Sequence, residues 1–211
     1  MKLPVKTPRS GTMMQFTVSL LLCAFGSFWV LAQDLPKPEI SKAPLTDEQL
    51  AVYRTVVSDY MKNSRATLNL SNRTYPLELD PGCVHGFSPE QLGNSGPMVH
   101  AFSAAPAPKV SLVDPEQQKS KISENDPQNL MKKAIDEREP VTDEQLNKSL
   151  ELAFSTGIFS FSEIIFDKGH RSAMVSYSFV CGSLCGHGNT LVLERTVNRW
   201  KVRKTCSSWI S

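Results

Sequence analysis

The chain has 211 residues, 40% of them hydrophobic, with 14 Pro, 11 Gly, 5 Cys and a formal net charge of +2. That mixture excludes collagen, a coiled coil and a wholly disordered chain, and the length suits one ordinary domain that buries its own core without metals. There are no long blocks of like charge, so the mild basicity is a weak argument for nucleic acid or membrane partners.

Lys2, Lys6 and Arg9 precede an uncharged apolar run over residues 16–31 that ends Val30-Leu31-Ala32 and is followed by Gln33-Asp34. This is the layout of a secretory signal peptide over residues 1–32. The run has about 16 residues where a spanning helix needs roughly 20, and no basic stop-transfer cluster follows, so no stable membrane anchor is expected after cleavage. Cys23 follows Leu22, where a lipid-attachment motif requires a small residue. Without the leader, 20 Lys and Arg stand against 21 Asp and Glu, a net charge of about −1. The basic excess belongs to the leader.

Pro36, Pro38 and Pro44 mark residues 33–45 as an extended tether. A single α+β domain over residues 46–211 is expected to follow, mainly helix and loop over 46–156 and antiparallel sheet over 157–211. Thr46 with Gln49 forms a capping box, and Leu50, Tyr53, Val56, Val57, Tyr60 and Met61 recur at helical spacing behind it. Alternation over residues 66–70 and the pair Thr74-Tyr75 predict a strand or hairpin edge, and residues 81–108 read as a long surface loop rich in Gly, Pro and Ser. Asp126-Pro127 opens a short helix with Leu130, Met131, Ala134 and Ile135 on one side. Residues 44–50 nearly recur as 140–146, but the segments downstream share no pattern, so both are read as independent helix starts. The second start leads into Leu146, Leu150, Ala153 and Phe154 and stops at Gly157.

Beyond Gly157 the pattern turns to sheet. Strands are predicted over residues 159–166, 173–181, 190–196 and 199–206, with a Gly-rich bend over 182–189 and a tight connection at Val197-Asn198. The expected fold is α+β, with helices packed on a four-stranded antiparallel meander.

Cys83, Cys181, Cys185 and Cys206 remain after the leader, an even number that favours two disulfides in an oxidising compartment. Four cysteines admit three connectivities. The preferred one joins Cys181 to Cys185 and Cys83 to Cys206, tying the long loop to the sheet. Cys181, Cys185 and Cys206 are expected as neighbours at one edge of the sheet. The same region offers a Cys/His metal set, Cys181, Cys185, His187 and Cys206 or His170, although the Cys-x-x-x-Cys spacing fits zinc loosely. Cysteine-protease chemistry would need a free thiol beside His85, His100, His170 or His187, and no catalytic residue is assigned. Residues 33–156 carry a net −5 and residues 157–211 a net +4. Arg199, Lys201 and Arg203 share one face of the last strand, a candidate anion-binding stripe or a charged sheet edge.

The run 161–167, the segment Cys181-Gly-Ser-Leu-Cys-Gly-His-Gly188 and the closing Trp209-Ile210-Ser211 resemble a group of uncharacterised secreted bacterial proteins with a C-terminal meander ending Trp-hydrophobe-Ser. The resemblance implies export and supplies no activity. The helix-then-meander order is also similar to cystatin-like or nuclear transport factor 2-like layers. The expectation is thus a secreted or periplasmic, disulfide-stapled binding or structural protein without catalysis, with no cofactor and no nucleic-acid partner. The alternatives are a hydrolase or ligand-processing enzyme with a pocket between helix and sheet, using His170 or His187, and a Cys/His metal-binding protein.

Overall fold

Thr46 starts the first helix as its capping box predicts. In the computed structural model, which describes residues 39–79, 81–88, 99–197 and 199–211, Thr46 Oγ1 accepts from the Gln49 N–H at 3.2 Å and the Gln49 side chain accepts from the Thr46 N–H at 2.8 Å. The expected signal peptide lies outside the described residues, as do residues 33–38 of the expected tether. In the rest of that tether Ile40 bridges Val99, the Ser41 N–H donates to the Val99 carbonyl at 2.7 Å, the chain bends at residues 42–43, and Leu45 packs against the main core. Helix α1 (Asp47–Tyr60) then buries Val52, Tyr53, Val56 and Val57.

The expected four-stranded meander is part of a larger mixed sheet. Strands β1 (Leu68–Ser71), β2 (Val110–Val113), β3 (Ile158–Phe161), β4 (Ile165–Phe166), β5 (Ser172–Gly182), β6 (Cys185–Arg195) and β7 (Trp200–Ile210) form seven strands in the order β2-β1-β3-β5-β6-β7, with β4 paired to β5. β1 runs parallel to both β2 and β3, and the pairs from β3 to β7 are antiparallel. The predicted strand over 159–166 is divided in two, and both pieces pair with β5. At the break the Ser162 hydroxyl accepts the Ser176 N–H at 2.8 Å, and Tyr75 inserts: its N–H donates to Phe161 at 2.9 Å and its carbonyl accepts from Glu163 at 2.8 Å. The expected bend over 182–189 shrinks to a turn at Ser183 and Leu184, with β6 already formed at Cys185.

Helices α2 (Pro115–Glu124), α3 (Pro127–Glu137) and α4 (Asp143–Thr156) fill the connection from β2 to β3. Asp114 and Asp126 cap α2 and α3 in the same way, each followed by proline. The apolar side expected on α3 does not reach the core: none of its residues is buried, and Met131 and Ile135 are 49% and 73% exposed. α4 opens with its own capping box at Thr142, buries Ala153 and stacks Phe154 on Phe179. It ends at Gly157, where a Cβ would collide with the Phe179 ring, 2.7 Å from its Cε2 and closer still to its Cζ.

Strand alternation divides the sheet into two unlike faces. One carries Phe159, Phe161, Val175, Phe179 and Leu193 and packs against Tyr53, Val56 and Val57 of α1 in the main core. The other has a smaller apolar cluster, where Leu77, Cys83 and Phe87 cover Ile165, Met174 and Val192. Among the described residues no helix is long and apolar enough to cross a membrane.

Candidate functional site

Beside that smaller cluster the second face turns polar. In β5 the residues between the core-facing Val175, Tyr177 and Phe179 are Ser176 and Ser178, and the ladder places like residues next to them. Ser160 lies opposite Ser178, Ser176 opposite Thr190, and Thr190 opposite Ser207. Directly paired residues lie side by side on one face, so four strands contribute to a floor of hydroxyl groups. Ser176 and Thr190 hydrogen-bond each other at 2.7 Å. This floor belongs to an open cleft of about 550 Å³, walled by Tyr75, Glu78, Leu79 and Pro81 on one side and Trp209 on the other. Its size falls within the range of about 300–1,000 Å³ usual for small-ligand sites.

Two glycines shape the Trp209 wall. A Cβ on Gly188 would meet the indole Cε2 at 2.7 Å, and one on Gly186 would meet its Cζ3 at 3.2 Å. The indole therefore lies across both glycines, with Trp209 45% exposed. On the opposite wall, burial pushes the Tyr75 phenol up to about 12, against the pull of a hydrogen bond from Ser178 and with a further push from Glu78. Tyr75 is a neutral phenol throughout the physiological range. The wall is tethered: Cys83, just beyond Pro81, is bonded to Cys206, next to Ser207 of the floor.

A second polar cluster sits at the break between β3 and β4. His100 Nδ1 lies 2.9 Å from Glu163 Oε2, and the His100 N–H donates at 2.8 Å to both Glu163 Oε1 and the Thr74 hydroxyl. The Thr74 hydroxyl in turn donates to the Glu163 carboxylate. Both side chains are largely covered, 18% and 14% exposed. A carboxylate held this way orients an imidazole, but its hydrogen bonds also tie Thr74 and His100 to the break between β3 and β4. Glu163 drew no attention as a site in the sequence. The signal available was a lone carboxylate within an apolar strand pattern.

The residues singled out from sequence do not gather in one place. Cys181 and Cys185 are paired with each other, 5.1 Å apart at Cα, and Cys83 with Cys206 at 5.4 Å. The expected clustering of Cys181, Cys185 and Cys206 does not occur: Cys181 is in the main core and Cys206 packs against the smaller cluster. The reason is that β7 continues to Ile210, which leaves Cys206 within the strand instead of at its end. His187 is enclosed by Tyr60, Tyr177 and Phe179, and His170 stacks on Phe166 and bonds Glu48 at 2.7 Å on the surface. Among the described residues no three His, Cys, Asp or Glu side chains form a metal-sized group. Side chains of the main core fill most of the space between α1 and the sheet, and neither His170 nor His187 lines the cleft or the groove that α1 forms with the start of β7.

The basic stripe is also divided. The register of β7 shifts twice, leaving Arg203 and Cys206 as extra residues without a paired partner in β6. Arg203 is 3.9 Å from Glu194, which also sits opposite Lys201. Arg199 precedes the strand, and its carbonyl accepts from Thr196. Arg199 and Lys201, but not Arg203, line an open groove with Arg54, Asp59 and Lys62 beside α1.

No protein-family model matches this chain, and neither a curated protein nor a solved structure is similar to it.

Proposed function

We propose that the chain is an exported, disulfide-stapled binding protein that holds a small polar ligand in the cleft on the outer face of its sheet. The observation that carries this reading is the hydroxyl floor of Ser160, Ser176, Ser178, Thr190 and Ser207, which lines an open cleft where the neighbouring part of the same face is covered by Leu77, Cys83 and Phe87. Burying polar side chains under a loop costs free energy unless each finds a partner, whereas an open floor keeps them available to a ligand. Export rests on the leader and on the two disulfides, which suit an oxidising compartment. Binding is favoured over hydrolysis because the described lining residues include one carboxylate, Glu78, and no His or Cys, while glycoside hydrolysis uses a pair of carboxylates.

The test is a thermal-shift screen of small polar compounds against the oxidised protein and a Ser178→Trp variant that fills the cleft. A ligand at about 100 times its Kd adds about 2.7 kcal/mol of stability. Hits should vanish in the variant. Hits that persist there would place the ligand elsewhere and overturn the reading.

A further inference from the structure

Resting on that reading, we infer that the ligand is a saccharide, uncharged or carrying an amino group, and not an acidic sugar. Three features of the cleft converge on this chemistry.

The floor consists of hydroxyl groups on neighbouring strands, Ser160 beside Ser178 and Ser176 beside Thr190 and Ser207. A hydroxyl donates one hydrogen bond and accepts others. It is best matched by a ligand whose own groups do both, as the ring hydroxyls of a sugar do. A carboxylate is only an acceptor at neutral pH and a phosphate chiefly one, and both are held best by cations or clustered N–H donors. Ser176 and Thr190 already bond each other and Ser178 bonds Tyr75, but an apolar ligand would cover the remaining hydroxyls without satisfying them, at a cost of roughly 1–3 kcal/mol for each group left unpaired.

The Trp209 wall supplies the second half of sugar recognition. A pyranose has polar edges and an apolar face of C–H bonds, and an indole is a broad apolar plate with one donor at its rim. Gly186 and Gly188 let the indole lie flat across the sheet instead of standing off it, so a flat plate flanks the hydroxyl floor. The Tyr75 phenol, held neutral and already bonded by Ser178, adds a second aromatic ring to the lining of the same cleft.

Charge makes the final discrimination. Glu78 is the charged side chain among the described residues lining the cleft. It opposes a second carboxylate in the same cleft and favours an ammonium there.

The experiment is titration of the purified, oxidised full chain with three trisaccharides, of N-acetylglucosamine, glucosamine and galacturonic acid, and with a neutral Gly-Ser-Gly tripeptide, followed by tryptophan emission and calorimetry. The neutral and amino trisaccharides should bind and shift the emission, with the galacturonate at least about tenfold weaker. Trp209→Ala should cost about tenfold in affinity while leaving the melting temperature near its starting value, since loss of one ring stack is worth about 0.5–1.5 kcal/mol. Glu78→Gln should narrow the gap between neutral and acidic sugars. Ser207→Ala, a smaller change in the floor, guards against a Trp209 variant that does not fold. Galacturonate binding as tightly as the others would overturn the charge assignment. If the tripeptide alone moves the Trp209 signal, the saccharide inference fails and the binding cleft stands. If no compound in this set or in the thermal-shift screen engages the cleft, both fail.

Discussion

The phenol of Tyr53 on α1 donates a 2.9 Å hydrogen bond to the carbonyl of Ser162, at the break between β3 and β4. This contact joins the buried side of the helix to the point where the sheet is interrupted. Tyr53 is fully buried, and burial is the main reason its phenol is pushed well above its usual range. Tyr53→Phe keeps the ring packing against Phe102 and Phe161 and strands the carbonyl. It should therefore cost about 1–3 kcal/mol by urea unfolding, with the slope against denaturant unchanged. A variant as stable as the parent would show that the break needs no such tether.

The two disulfides should contribute unequally. Cys83 and Cys206 close a loop of sequence separation 123, against 4 for Cys181 and Cys185. Cross-link stabilisation grows with loop length, so replacing Cys83 and Cys206 by Ala should cost about 2–4 kcal/mol and replacing Cys181 and Cys185 less. Urea titrations of the two double variants decide the order. The first variant should also loosen residues 77–83 and speed proteolysis at that wall of the cleft.

Much of this architecture is legible in the residues and some is not, for physical reasons. Thr46 with Gln49 and Thr142 with Gln145 announce α1 and α4 because a capping box is a local device. Alternation likewise announces β5. The parallel pairing of β1 with β2 and β3 is not legible, since Leu70 meets Leu112 and Phe159 through long connections that leave no periodic trace. α2 escaped because its surface is almost wholly polar, although Asp114-Pro115 repeats the start seen at Asp126-Pro127. The serines of the cleft read as a strand's outer face. Sequence does not show that Tyr75, Glu78, Leu79 and Pro81 line the same cleft as these serines, or that the Trp209 indole lies over Gly186 and Gly188 beside them.

Alkaline pH should destabilise the fold through its buried phenols. Burial pushes Tyr60 up to about 12, with a further push from Tyr177, and burial also raises Tyr75 to about 12. In the unfolded chain both ionise near pH 10. Their contribution is fully present below that value, and as the pH rises from about 10 towards 12 the unfolded state releases protons that the folded state keeps, so stability falls. Tyr60→Phe, measured by denaturant midpoints from pH 8 to 12, should give a flatter decline over this window. An identical pH profile would remove Tyr60 from the account.

Gly188→Val should damage the cleft more than the fold. The new side chain would occupy the space of the Trp209 indole, which lies over that glycine. Because the indole is partly exposed, it can swing outward, and the stability cost should stay at about 1–3 kcal/mol. The measurable signs are a red shift in tryptophan emission and loss of near-ultraviolet dichroism from Trp209, alongside weaker ligand binding. An unmoved emission spectrum would contradict the stated packing.

The parallel contact between β1 and β3 also governs when the molecule can fold. Leu70 has Leu112 of β2 beside it but lacks its other neighbour until Phe159 exists, and Val52, Tyr53, Val56 and Val57 have part of their surface from Leu68, Leu70 and Phe102 but not the rest until β5 and β6 supply Val175 and Leu193. Synthesis at about 5–20 residues per second leaves those side chains waiting on the order of ten seconds. Contacts so far apart along the chain form slowly, because loop closure must be met before they stabilise anything. The early half of the nascent chain is thus the part exposed to association, and a holding factor that shields α1 would raise the yield of native protein without altering its final stability.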